Sequence, residues 1–466
     1  MSAIGAAQNC AELMPRARGK LMPMKSGWYE QRLTPLALAL ASLFAFPAAV
    51  AAAGDGGTRL YVTSCADDGS EGTLRSVVGA AQNGDTIDLT GLACSRITLA
   101  QGEIGGGSPY RMTFEGPGRD RLTIDAAGLS RVFNIGGPVT VSRLTITGGH
   151  VEGDPAAGGC ISAFAGVTLQ SASVVGCSVH GDNAHGGAID TQYFVNLVDS
   201  TVSGNSATSD AGIALGGAIM VSYGLFTAET STISANVASG ALGSYGGGVH
   251  VEGPASITRS TIDHNTADEG AGILKRRGLF DAGDVDIVDS TISGNTAAHR
   301  GGGVLADSTP YFRIVNSTIA LNSSDDVGGV LLDGECLDYC VVDVTSAIIA
   351  NNESAGSVRS ADIDTTLDAQ HVITIGDGDM FTSIGRIVPF EYTLQDPLLG
   401  PLADNGGPTH THALQLNSPA IDAGANPLGL EVDQRGRARV SGLATDIGAY
   451  ELQPDALFAD GFDVPG

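Results

Sequence analysis

The chain has 466 residues, enough for two or three ordinary domains or one large repetitive one, and its 42% hydrophobic content excludes wholesale disorder. Gly supplies 66 residues, about twice the usual share, whereas 16% of residues are charged and 5% aromatic. Lys and Arg number 24 against 51 Asp and Glu, a net charge of -27, which excludes nucleic acid and anionic membrane as main partners because both need a basic counter-surface.

Residues 1–53 read as an over-extended start followed by a signal peptide. From Met24, Lys25 and Arg32 give a positive segment, Leu36 to Phe46 an apolar core, and Ala51-Ala52-Ala53 a small-residue cleavage pattern. The apolar core falls short of the roughly 20 residues a membrane span needs, so the chain is not expected to be an integral membrane protein. Cleavage near Ala53 removes five basic residues (Arg16, Arg18, Lys20, Lys25, Arg32) and two acidic ones (Glu12, Glu30), taking the net charge from -27 to -30. It also removes Trp28 and Cys10, leaving Cys65, Cys94, Cys160, Cys177, Cys336 and Cys340. An even number after export fits disulfides in an oxidising compartment. Sequence order suggests Cys65–Cys94, Cys160–Cys177 and Cys336–Cys340, one of several possible connectivities. Metal ligation is the weaker reading, since no CxxC or His-x-x-x-His spacing accompanies them.

Residues 54–125 hold an N-terminal cap and the first coils. Leu74, Val77, Val78 and Ala81 predict a short amphipathic helix, and Thr86-Ile87-Asp88-Leu89 the first strand. The helix is expected to cap the core, with Cys65 and Cys94 as a staple.

Residues 126–390 carry a repeat. STVSGNSA begins at Ser200, STISANVA at Ser231, STIDHNTA at Ser260, STISGNTA at Ser290 and STIALNSS at Ser317, with weaker copies from Leu144, Ala172 and Ser346. A second phrase runs in phase: GGCI at Gly158, GGAI at Gly186 and Gly216, GGGV at Gly246 and Gly301, GAGI at Gly270 and VGGV at Val327. The units are β-branched and lack a helical period, so the repeat is a solenoid of strands. Each coil of about 29 residues is expected to hold three short strands and three turns, stacked in parallel at about 4.8 Å. Val202, Ile233, Ile262, Ile292 and Ile319 then form an interior stack. Asn205, Asn236, Asn265, Asn295 and Asn322 fall at one phase just after the strand. Asn tolerates left-handed backbone geometry and its amide can bond the next coil. An exposed turn or a glycosylated Asn is the alternative; recurrence at one phase favours an internal ladder.

The two phrases in phase resemble a right-handed parallel β-helix of the pectate-lyase-like superfamily, especially its bacterial surface-protein members. The resemblance covers most of residues 57–453, including the opening segment from Leu60. It implies an all-β, three-sided solenoid of about 13 coils and roughly 60 Å. Residues 391–453 carry Ser418-Pro419-Ala420-Ile421-Asp422-Ala423-Gly424, Asp433-x-Arg435-Gly436 and Asp446-Ile447-Gly448-Ala449-x-Glu451. They are similar to the choice-of-anchor Q region that ends many secreted bacterial β-helix proteins. Asp422, Asp433, Arg435, Asp446 and Glu451 are the expected cap ion-pair set, with Arg435 positioned to pair with Asp422, Asp446 or Glu451 and tie the closing turns together. Residues 454–466 form a short sorting-type tail, too short for a membrane anchor or a β-barrel.

The superfamily includes polysaccharide lyases and hydrolases. After the second phrase, Asp190, Gln192, Met220, Ser222, His250, Glu252, Leu274, Arg276, Leu305, Asp307, Leu331 and Asp333 are expected to point outward. Asp190, His250, Glu252, Arg276 and Asp307 are therefore the candidate catalytic residues. Lyase chemistry needs carboxylate-held calcium and a base; hydrolysis needs two carboxylates at a fixed separation. No tight Asp cluster stands beside Arg276, so calcium is compatible with the chain but not indicated, and no cofactor is expected. Lys275-Arg276-Arg277 reads as a solvated turn, His410-Thr411-His412 as a surface loop and Asp377-Gly378-Asp379 as a turn. The leading expectation is a monomeric, non-catalytic cell-surface or extracellular protein, adhesin-like, with a polysaccharide or cell-surface ligand as partner. The alternative is a secreted lyase or hydrolase acting on an acidic glycan.

Overall fold

The computed structural model describes residues 57–453 except 109, 279–282, 335–340, 357–360, 366–371, 376–379 and 382–392. The leader, the tail, Cys336, Cys340, His371 and Asp377 to Asp379 lie outside the described residues. The described residues between 57 and 394 form a parallel β-solenoid. One coil shows its plan: Thr201–Ser203 in sheet 1, Ser206–Ser209 and Ile213–Leu215 in a side wing, Ile219–Val221 in sheet 2, and Leu225–Glu229 in sheet 3. Among the described residues, sheets 1 and 3 and the wing each hold 12 strands and sheet 2 holds 10.

The β-branched residues explain the stacking. Val202 pairs in register with Ile233, then Ile262, Ile292 and Ile319, and all five are fully buried. Each such stack removes apolar area from water at about 25 cal/mol per Å². The corners use left-handed backbone. Gly216 has φ 64°, and a Cβ on Gly217 would sit 2.3 Å from the Gly247 carbonyl oxygen, so neither position accepts a side chain.

The residue before each ladder Asn, not the Asn itself, takes the left-handed conformation: Gly204, Ala235, His264, Gly294 and Leu321 have φ between 53° and 66°. This frees each Asn amide to turn inward. Asn236 donates from its backbone N (3.0 Å) and its Nδ2 (2.9 Å) to Asn265 Oδ1, and the pattern repeats at the rungs above and below. The column ends on Asp362 Oδ1, which accepts both Asn352 donors. At the other end Cys177, disulfide-bonded to Cys160, donates its backbone N–H to Asn205 Oδ1. A second column, of Ser200, Ser231, Ser260, Ser290 and Ser317, accepts backbone N–H groups from the preceding coil at 3.0–3.2 Å. It satisfies backbone donors at the corner where Asp199, Thr230, Arg259 and Asp289 turn left-handed.

Three features depart from the sequence-based expectation. A strand at Arg59–Tyr61 precedes Thr86–Asp88 and pairs with it. It stands before helix α1 (Leu74–Ala80), which is N-capped by Thr73 and buries Leu74 and Val78 in the main core. Cys65 and Cys94 are bonded beside it. Second, the coils from Pro138 onward have more than three strands, because the stretch between the Asn and the GG pair forms the wing. Its two strand stacks enclose Ala156, Ala184, Ala207, Ala214, Ala238, Ala267, Ala271 and Ala297 with Val179. Methyl-sized side chains let two strand stacks approach closely. Third, about ten complete coils are described instead of 13, because residues 396–452 leave the solenoid.

Those C-terminal residues form a strap along the outer face of sheet 1. Gln434 Oε1 accepts from Thr291 Oγ1 (2.6 Å), and Gln434 Nε2 donates to Thr261 Oγ1 (2.9 Å). Ala449 N donates to Thr318 Oγ1. Leu414, Ala420, Ile447 and Tyr450 bury Ile348 and Ala350. Thr232–Ser234, outside the strap, is half-buried at its flanking residues, whereas Thr261–Asp263 and Thr291–Ser293 are buried throughout. Within the strap, Arg435 pairs with Asp433 through Nε (2.9 Å) and Nη2 (2.6 Å), not with the carboxylates of Asp422, Asp446 or Glu451, although Nη2 also donates to the Glu451 backbone carbonyl. Those three carboxylates accept backbone N–H groups instead: Ala444 on Asp422, Asp422 and Leu452 on Asp446, Ser441 and Asp446 on Glu451. Irregular buried turns have many donors without strand partners, and carboxylates satisfy two at a time. His412, expected in a surface loop, is 1% exposed; its Nδ1 donates to Gly400 O and its Nε2 accepts from Ser293 Oγ. Burial lowers its pKa, so the ring is neutral.

Candidate functional site

The outward positions of sheet 2 form one registered column: Ser162, Asp190, Met220, His250, Leu274, Leu305, Leu331. An open groove was expected here, and the structure corrects it. Met220 is 3% exposed, His250 1%, Leu274 0% and Leu305 2%. The cause is the wing, whose column His185, Leu215, Tyr245, Glu269 runs alongside. Tyr245 packs on the cluster of Leu274, Leu305, Val327 and Leu331. An apolar half of the column needs a cover, and the wing supplies it.

Neither ring nitrogen of His250 makes a well-formed hydrogen bond. Glu252 Oε1 is 3.9 Å from Nε2. Burial pushes the His250 pKa down to about 3, with the charges of Arg276 and His185 acting the same way and the Tyr245 backbone carbonyl opposing. The imidazole is therefore neutral at ordinary pH. Its outer neighbours Glu252 and Arg276 are half-buried, and the Arg276 guanidinium lies 4.5 Å over the Tyr245 ring. Burial raises the Glu252 pKa, with Arg276 opposing. Asp190 stands two coils from His250; burial raises its pKa to about 7, against the charge of Arg131. Arg131 is itself held by Glu103 (2.5 Å) and by the Ala157 and Gly158 carbonyls.

Thus Glu252 and Arg276 gather at His250, whereas Asp190 stands apart. Asp307 belongs to another turn, where its carboxylate accepts the Ser308 hydroxyl. Its backbone carbonyl accepts Lys275 Nζ at 3.1 Å. Lys275, expected in a solvated turn, is fully buried in register with Val251 and Ala306 on the interior side of sheet 2. It sits inside because strand alternation sends it inward, and turn carbonyls compensate the ammonium. Among the described residues, no group of three His, Cys, Asp or Glu side chains could hold a metal ion.

His250→Leu is expected to leave stability unchanged or raise it by about 1–2 kcal/mol, since it replaces a buried ring without good hydrogen bonds by an apolar one. It should also remove the loss of stability on acidification that the depressed pKa imposes below about pH 6.5. Urea denaturation of both proteins at pH 5 and pH 8 checks this; a loss of 2 kcal/mol or more at pH 8 refutes it.

A feature missed in the sequence lies at the turn from sheet 2 to sheet 3. Phe164, Tyr193 and Tyr223 stand there on three consecutive coils, 52%, 49% and 38% exposed. The Phe164 and Tyr193 rings have centroids 5.6 Å apart and cross at 76°. Phe194 lies over Gly166, where a Cβ would come within 2.4 Å of its ring. The available signal was an aromatic residue one or two positions beyond three successive sheet 2 strands in a chain with only 5% aromatics.

Fold and site together define an all-β parallel solenoid with a wing, a lateral strap and a ridge of exposed rings beside a sealed ionisable pocket. No family model matches the chain, and no curated protein matches it. Among solved structures, the crystal structure of pectate lyase Pel9A is similar with a TM-score of 0.36 and 14% identity, covering 84% of this chain and 96% of that one. Among the described residues, no helix is long and apolar enough to cross a membrane.

Proposed function

We propose that this chain is an exported cell-surface or extracellular β-solenoid that holds a polysaccharide or cell-surface ligand along its side, adhesin-like, without chemistry on it. The observation that carries this reading is the sealed His250 pocket. A general base must come within hydrogen-bond reach of the proton it removes, and the His250 ring is 1% exposed beneath the wing. Export is supported by the Cys65–Cys94 and Cys160–Cys177 disulfides, which persist in oxidising compartments. The test incubates residues 54–466 with a panel of soluble and insoluble polysaccharides and with whole cells, with and without calcium. Retention on at least one of them, without new reducing ends or unsaturated uronate, is the expected result. Product from any polymer overturns it.

The reading as a secreted lyase or hydrolase is favoured by one observation. Asp190 and Glu252 both have raised pKa values on one face with Arg276, as acids and bases in active sites do. If product does form, Asp190→Asn and Glu252→Gln are the variants that should abolish it.

A further inference from the structure

We infer that the aromatic ridge at the turn from sheet 2 to sheet 3 binds a single, extended, uncharged glycan chain running along the solenoid axis. The inference rests on the polymer-binding reading above and names the chemistry of the polymer. Among the described residues, five aromatic side chains are strongly exposed, and Phe164, Tyr193 and Tyr223 are three of them. Their clustering at one corner of consecutive coils is a patch that calls for a partner, unlike scattered surface rings.

The spacing suits a polymer. Successive coils advance about 4.8 Å, comparable to the length of one pyranose unit in an extended chain, so one ring meets one sugar. An aromatic face attracts the C–H face of a pyranose, and the Tyr hydroxyls reach sugar hydroxyls while the ring body stays in apolar contact. Charge selects against polyuronates, because the chain carries a net charge of -27 and like charges would repel a polyanion. The next two coils place Glu252 and then Arg276 beyond the equivalent strand ends, polar groups able to bond sugar hydroxyls.

Geometry selects the physical form of the glycan. A crystalline polysaccharide surface is flat and requires coplanar rings. Here Phe164 and Tyr193 cross at 76°, and the Phe194 ring packs on the preceding coil at Gly166. The ridge is stepped, and a stepped surface suits one twisted chain in solution. Gly166 is part of the device, since any Cβ there would displace the Phe194 ring.

The test is titration calorimetry of residues 54–466 with β-linked hexamers of glucose, mannose, xylose and N-acetylglucosamine, and with a galacturonate hexamer. Microcrystalline cellulose sedimentation is the arm for the crystalline form. At least one neutral hexamer is expected to bind, with the galacturonate hexamer and the crystal bound less well. Tyr193→Ala and Tyr223→Ala should each weaken that Kd about tenfold, and Tyr193→Phe by about twofold or less. Unchanged circular dichroism and Tm in these surface variants show that the fold is intact. The inference is overturned if all four neutral hexamers fail to bind while another polymer or cells are retained, if the crystal is preferred, or if the Ala variants bind like the parent. If no polymer or cell is retained at all, the polymer-binding reading falls with it.

Discussion

Asn265→Ala is expected to lower the unfolding free energy by about 3–5 kcal/mol, a large share of the 5–15 kcal/mol typical of a folded protein. Asn265 Oδ1 accepts two donors from Asn236, at 3.0 and 2.9 Å, and Asn265 Nδ2 donates to Asn295 Oδ1 and Ile233 O at 2.9 and 3.0 Å. The residue is 0% exposed, as are Asn236 and Asn295. Truncation strands the buried Asn236 backbone N–H, which costs about 1–3 kcal/mol, and removes three further bonds at about 1 kcal/mol each, leaving Asn236 Nδ2 with Val202 O and Asn295 Oδ1 with the Asn265 backbone N–H. Asn205→Ala should cost less, because its Oδ1 receives only the Cys177 backbone N–H from the coil before it. Urea unfolding monitored by circular dichroism gives both values. Equal losses, or a loss below about 1 kcal/mol at Asn265, would show that the column contributes no network beyond its separate bonds.

Arg439→Met is expected to cost about 3–5 kcal/mol and to release the strap from sheet 1. Arg439 is 0% exposed; its Nη2 donates to the Asp446 and Gly448 carbonyls at 2.9 and 2.7 Å, and its Nη1 lies 3.4 Å from Asp289 Oδ1. Asp289 sits at the left-handed corner before the Ser290 strand and is 1% exposed, so Arg439 ties the strap to the solenoid there. Hydrogen exchange should show faster exchange across residues 396–452 in the variant, while the wing is unaffected. Protection that stays unchanged across the strap would refute this account.

The same pair has a pH signature. Burial raises the Asp289 pKa to about 7, with the Arg439 charge opposing. The folded state thus binds this proton more tightly than the unfolded chain, whose Asp titrates near about 4. The stabilisation is complete below about pH 4 and is lost as pH rises through about 7. Glu451 is raised to about 7, chiefly by burial, and acts in the same direction. Asp289→Asn should therefore flatten the decline between pH 4 and 8, and removing Arg439 should steepen it, because the opposing charge is gone.

The interior of the solenoid was legible because stacking writes itself as a period. Val202, Ile233, Ile262, Ile292 and Ile319 repeat at one phase since each must sit on its counterpart in the next coil. The Ser column shares that phase and went unread because Ser-Thr looks like an ordinary strand start. The wing was hidden for another reason. Ala207 and Ala214 carry no pattern that separates a two-strand excursion from a loop, so His250 and Leu274 read as outward and exposed when they are outward and covered. Lys275 was misplaced because charge suggested solvent, whereas its place in the alternation of Ile273–Lys275 sends it inside.

By itself, then, the sequence determined what recurs every coil: a parallel solenoid, its aliphatic stacks, its glycine corners and the phase of its Asn residues. Only the tertiary structure decided what lies against the outside of those coils. The wing covers His250 and the apolar part of the outer face of sheet 2, the strap runs along sheet 1, and Phe164, Tyr193 and Tyr223 are left as an exposed ridge. The physical reason is range. A coil's fit to its neighbour is set by residues about 29 positions away and repeats, so it leaves a period. The contact of Gln434 with Thr261 joins positions 173 residues apart once, and a single long-range contact leaves none.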